Sequence, residues 1–178
     1  MSSTASNGKW ISYLFAYSSC SAPYAALFTR FVHNDGRNKF APVAVNVVDK
    51  HANVIVQKRM DGCIHVGIPE FSYAKAYTCV VTNLSSREFR DKYTSDDGGN
   101  PAKVCQMNSM ISISGGRMAA FPGGILLRNR DDDVVGAIGV SGASGDEDEY
   151  VCLRSVWDSG LPLITRPKEH SCTTSREE

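Results

Sequence analysis

The stretch that most constrains this chain is Phe121 to Glu149, FPGGILLRNRDDDVVGAIGVSGASGDEDE, which sets a glycine turn, a hairpin, a second glycine run and a helix start close together. Pro122 holds φ at about −65°, and Gly123 and Gly124 admit the positive φ that a tight bend needs. Ile125 to Arg128 then reads as a short strand and Asn129 to Asp133 as its polar connection. Val134 to Val140 is an apolar second strand in which Gly136 and Gly139 mark places where a side chain must be absent. Glycines 136, 139, 142 and 145 recur every third residue, a spacing that lets backbone come close to a strand, a helix or a ligand. Ser144 and Glu147 form a capping box, and Asp146 and Asp148 put negative charge at the positive end of the helix that follows.

Upstream, Tyr24, Leu27, Phe28 and Phe31 have helical spacing, with Asn34-Asp35-Gly36 as the stop. Val43 to Val48 is a β-branched run that turns through Asp49 to Asn53 into Val54 to Met60. That predicts a hairpin whose first strand is covered on both faces. Ile68 to Leu84 predicts a helix with Phe71, Ala74, Thr78 and Val81 on its apolar side, flanked by Tyr73, Tyr77 and Val80. Ser72, Lys75, Ala76 and Cys79 form a small-residue face carrying one ammonium. Ser85 to Glu88 is a second capping box that opens a short helix. Val104 to Met110 reads equally as helix turn or strand, and Ile111 to Ser114 as strand. Tyr150, Leu153 and Trp157 mark the core face of a last helix ended by Gly160 and Pro162. This order of elements fits one α+β domain, an antiparallel sheet with helices on its faces.

A chain of 178 residues with a formal net charge of +0 gives no support to a nucleic-acid partner, which would ask for a basic face. No apolar run approaches the roughly 18 residues of a membrane span. Cys20, Cys63, Cys79, Cys105, Cys152 and Cys172 are scattered, without the close pairs of a zinc site, so buried thiols in a reducing compartment are expected. Cytoplasmic placement follows, with the mitochondrial matrix as the alternative offered by the serine-rich, acid-poor start. Gly139-Val140-Ser141-Gly142-Ala143 departs from the G-x-S-x-G elbow because Ala143 stands where glycine is required, which favours a turn serine over a nucleophile. Among His33, His51 and His65, His65 stands out because Met60 and Cys63, two soft donors, lie within a few residues of it. The competing reading of Arg59 and Asp61 is a local ion pair at the strand end.

Three sets of residues carry a resemblance to a known family: Pro122-Gly123-Gly124 with Val134 to Ser144 and Asp148-Glu149; Val47 to Gly62, ending in Arg-Met-Asp-Gly; and Tyr73 to Thr78. The chain resembles the GlcG/HbpS-like proteins, the haem-degrading-domain family also found as the C-terminal domain of PduO-type proteins, from about residue 18 to 160. The resemblance implies a profilin-like topology with a central five-stranded antiparallel sheet. Residues 1–17 are then a flexible segment, 18–163 the domain and 164–178 a tail. It also implies a ligand, haem or a related molecule, held between the strand end Arg59, Met60, Asp61 with His65, the helix residues Lys75 and Thr78, and the bend at Phe121, Gly123, Gly124 with Ser141. Haem breakdown is the activity that the family name implies. A non-catalytic assembly subunit forming homo-oligomers, or a binder of a small organic acid or a corrinoid, is the alternative. Cys63, Cys152 and the turn Lys50 to Asn53 depart from the family's pattern and bear on which ligand is bound.

Overall fold

The computed structural model describes residues 41–94 and 100–167, so the helix expected around Tyr24 to Phe31, together with Cys20, His33 and Cys172, lies outside the described residues. The β-branched run forms β1 (Ala44–Asp49), which pairs antiparallel with β2 (Val54–Arg59). Asp49 holds the turn between them by accepting the backbone N–H groups of His51 and Asn53. The central hairpin is β3 (Gly124–Arg128) and β4 (Val134–Ser141), and β5 (Ile164–Arg166) pairs with β3. The order is β2-β1-β4-β3-β5, antiparallel throughout. β5 corrects the expectation that residues from 164 onward are tail. A three-residue strand with one buried side chain, Thr165, carries too little apolar pattern to be read, yet Arg166 anchors it on the Glu88 carboxylate at 2.9 and 3.0 Å.

Four helices complete the described residues: α1 (Ile68–Thr82), α2 (Ser86–Thr94), α3 (Pro101–Ile113) and α4 (Gly145–Asp158). α3 overturns the strand expected at Ile111 to Ser114. Pro101 opens it, the Asn100 side chain caps it by accepting Ala102 N–H at 2.9 Å, and Met107 packs on Phe89 and Met118. A nucleated helix gains a hydrogen bond with each added residue, which outweighs the β preference of two isoleucines in its last turn. It stops before Gly115 and Gly116, both at positive φ.

α1 lies on the sheet through the small-residue face. Ala76 and Cys79 share a core with Val48, Leu126 and Ala137, whereas Phe71, expected to be buried, is 46% exposed. Gly139 makes the close packing possible, because a Cβ there would stand 1.9 Å from the Ser72 carbonyl oxygen. The opposite sheet face presents the buried side chains of Val47, Ile125, Leu127, Ile138 and Val140, and α4 packs against β3 and β4 with Val151, Cys152, Leu153 and Val156 buried. The core face of α4 is therefore rotated from the one expected, since Trp157 is 41% exposed and Tyr150 only half-buried. Among the described residues no helix is long and apolar enough to cross a membrane.

Candidate functional site

Lys75 is on the sheet-facing side of α1, where helical spacing places it one turn before Cys79. Its Nζ donates to the Val140 carbonyl at 2.8 Å and to Asp148 Oδ2 at 2.7 Å, with both side chains almost wholly buried. The other carboxylate oxygen of Asp148 accepts Ala143 N–H at 3.0 Å. Burial pushes the Asp148 carboxyl up to about 6, against the downward pull of the neighbouring ammonium. Gly123, at φ 114°, closes the space: a Cβ there would lie 2.7 Å from that of Asp148 and 2.9 Å from Lys75 Nζ. The ammonium thus ties α1, the end of β4 and the start of α4 together at one end of the sheet.

The other residues expected on this side are also engaged by the protein. Gly124 starts β3 against the Lys75 carbonyl and Cys79 Sγ, and its N–H donates to Ser86 Oγ. Thr78 Oγ1 donates to the Ala74 carbonyl and accepts Ala119 N–H at 2.8 Å, fixing the segment after α3. Ser141 is buried beside Ala44 at the end of β4. Phe121 is 61% exposed ahead of the bend. The thiols of Cys79 and Cys152 are buried, and burial pushes both upward, so neither is a thiolate near neutral pH.

A second group gathers on the rim of the same sheet end. Arg59, the last residue of β2, is paired with Ala44, itself paired with Ser141. Directly opposed residues of an antiparallel pair share a face, so Arg59 emerges on the α1 side. From there the chain wraps around Pro42. Met60 N–H donates to the Val43 carbonyl, Cys63 Sγ donates to the Pro42 carbonyl at 3.5 Å, and Ala44, Cys63 and Ile68 form a small core. The segment that follows is open to solvent: Ile64 is 78% and Val66 81% exposed, with His65 exposed between them. The His65 ring meets Phe71 of α1 edge-on at 5.3 Å, and its Nδ1 accepts Gly67 N–H at 3.2 Å, at the N-cap of a helix that has no side-chain cap. Asp61 is exposed in the same turn.

The expected site therefore divides into two neighbouring parts. Lys75, Thr78, Gly123, Gly124 and Ser141 are buried and packed on one another's elements, whereas Arg59, Asp61, His65 and Phe121 reach solvent and Met60 is half-buried. Two residues that sequence reasoning missed organise the buried part. The sequence assigns Asp148 to the helix dipole and to the family's motif and not to a partner for Lys75, although an acid after the capping box faces a different side of α4 from Glu147. Asn46, a polar residue inside the β-branched run, is buried and donates to Ser72 Oγ and the Pro69 carbonyl, locking the first turn of α1 to β1. Among the described residues no group of three or more His, Cys, Asp or Glu is arranged to hold a metal ion.

A five-stranded antiparallel sheet in this order, with α1 on one face and α4 on the other, defines an α+β protein of profilin-like architecture. The model of the HbpS-like haem degrading proteins matches residues 24–156, and the chain belongs to that family. Among solved structures, HbpS is 26% identical with a TM-score of 0.58, covering 80% of this chain and 89% of its own. A PduOC:haem complex is 23% identical with a TM-score of 0.60, covering 82% of this chain and 96% of its own. The ORFY protein of Klebsiella pneumoniae is 21% identical with a TM-score of 0.58, covering 78% and 90%. A search of curated protein sequences returned no match.

Proposed function

We propose that this protein binds haem or a closely related tetrapyrrole at the rim formed by Arg59 to Val66 and the first turn of α1. The observation that carries the reading is the pair of exposed side chains Ile64 and Val66, with His65 and Phe71 between and beside them, in a chain of the HbpS-like haem degrading family. A tetrapyrrole presents a broad apolar ring with carboxylates at one edge. The rim fits that shape of chemistry, with aliphatic and aromatic side chains for the ring and the Arg59 guanidinium and His65 imidazole for the edge. Haem, when bound, supplies the redox-active iron, and the chain's own contribution is to hold and orient it. Titration with hemin tests the reading. A saturable Soret change with one hemin per subunit is expected, and Ile64→Ser with Val66→Ser should weaken it by roughly tenfold or more, as loss of two apolar contacts would. A stoichiometric site untouched by those changes would place the ligand elsewhere, and the absence of saturable binding would end the reading.

A second reading, a homo-oligomeric assembly subunit, is favoured by Val54, half exposed on the edge strand β2, whose outer backbone groups have no strand partner among the described residues. Light scattering on purified protein tests it, since a strictly monomeric species at micromolar concentration would remove it.

A further inference from the structure

Resting on the haem reading above, we infer that the rim, among the described residues, recognises the carboxylate edge of a porphyrin and not its metal, so that a metal-free dicarboxylic porphyrin binds this rim as well as haem does. The inference comes from what the donor atoms of His65 and Cys63 already do. His65 Nδ1 accepts the Gly67 N–H at 3.2 Å. A neutral imidazole that accepts at one nitrogen carries its proton on the other, so the outward Nε2 is an N–H donor with no lone pair to offer iron. Turning that nitrogen into a metal ligand would move the proton to Nδ1 and break the bond at the N-cap of α1, where no side chain caps the helix in its place. Cys63 is buried, and its Sγ is directed at the Pro42 carbonyl. Met60 is half-buried, its backbone tied to Val43.

The exposed basic groups of the rim are both hydrogen-bond donors: the guanidinium of Arg59, on the α1 side of the sheet, and the Nε2–H of His65. Carboxylates are the partners of such a pair, and Ile64, Val66 and Phe71 supply the apolar surface beside them. Two exposed acids close in sequence, Asp61 and Glu70, work against a dianionic ligand. Asp61→Asn should therefore tighten binding, and His65→Phe, which keeps an aromatic ring on Phe71 but loses the donor together with the bond to Gly67 N–H, should weaken it.

The experiment compares hemin, protoporphyrin IX and protoporphyrin IX dimethyl ester on the full chain by Soret absorbance and porphyrin fluorescence. Protoporphyrin IX is expected to bind within about threefold of hemin, and the diester at least about tenfold more weakly. His65→Phe and Arg59→Ala should each weaken hemin and protoporphyrin IX alike, by roughly 2- to 10-fold, as loss of a partly exposed charge-assisted bond does. The Soret position of the bound hemin should stay where it is in His65→Phe. Hemin binding with protoporphyrin IX about a hundredfold weaker, or a Soret shift on removing the imidazole, overturns this inference and leaves the haem reading standing. Failure of hemin and protoporphyrin IX alike overturns both.

Discussion

Replacing Lys75 by Met removes an ammonium that is 4% exposed and makes two hydrogen bonds, while nearly conserving the volume that Gly123 packs against. Asp148 is left with Ala143 N–H alone, and the Val140 carbonyl loses a donor. Removing one partner of a buried ion pair costs about 3–5 kcal/mol, because the charge left behind has no compensation. For a chain of this size that corresponds to a fall of roughly 6–20 °C in Tm. Urea and thermal melts followed by circular dichroism measure it. Lys75→Met with Asp148→Leu should recover most of the loss, since an apolar pair of similar volume commonly replaces a buried ion pair at little cost. Hemin affinity per folded molecule should change far less than stability. A single variant within about 1 kcal/mol of the parent, or one that keeps its stability and loses the ligand, would refute the argument and return the lysine to the binding site.

The same pair gives the pH dependence a sign. Asp148 has an ordinary carboxyl value of 3.8 when the chain is unfolded and about 6 when it is folded. The folded state therefore binds the proton more tightly, and this group's contribution to stability falls as pH rises from near 4 to near 6 and is flat above that. Without Lys75 the carboxyl loses its stabilising cation and moves higher still, so the deficit of Lys75→Met should be smaller at pH 5 than at pH 7.5. A deficit that grows on acidification would mean that the carboxylate is not the group left stranded.

Gly139→Ala drives a Cβ into the Ser72 carbonyl oxygen, and since neither β4 nor α1 can yield cheaply the cost should reach about 3 kcal/mol or more by urea titration. Ser85→Ala removes the Oγ that accepts Glu88 N–H at 3.1 Å and should cost about 0.5–2 kcal/mol in the same assay. Alkylation of the native protein with iodoacetamide, read by peptide mass spectrometry, should modify the exposed Cys105 and spare the buried Cys63, Cys79 and Cys152 until the chain is unfolded.

Elements were legible where one local signal sufficed. Both capping boxes form as spelled, with Ser85 N–H donating to Glu88 and Ser144 N–H to Glu147. The hairpins fall where β-branched runs meet turn residues. Legibility ended where a residue's fate depends on a distant element. Nothing local distinguishes an Ile-rich last turn of α3 from a strand. Nor does composition say that α1 turns its small face, and not Phe71 and Val81, to the sheet; that follows only once Gly139 and Gly124 are known to lie beneath it.

The candidate site shows the same division. A lysine on a small-residue face, opposite a glycine bend, reads equally as the wall of a pocket and as the core of a joint, because both demand close approach and a buried cation's partner. What decides is Asp148, seventy-three residues away in sequence, which together with the Val140 carbonyl engages the ammonium inside the protein. The buried joint and the exposed rim still communicate through named contacts. Asp148 holds Ala143, Gly142 sits against the Pro42 carbonyl, and Pro42 in turn receives Cys63 Sγ and lies under Gly62. A change at Lys75 can reach His65 along that chain or along α1 itself, whose N-cap Gly67 and Phe71 touch the His65 ring. On the proposed reading, the interior residues act on a ligand by setting where the rim loop stands, and the rim residues act on it by touch. This is why substitutions in the two groups should separate, the first moving stability more than affinity and the second affinity more than stability.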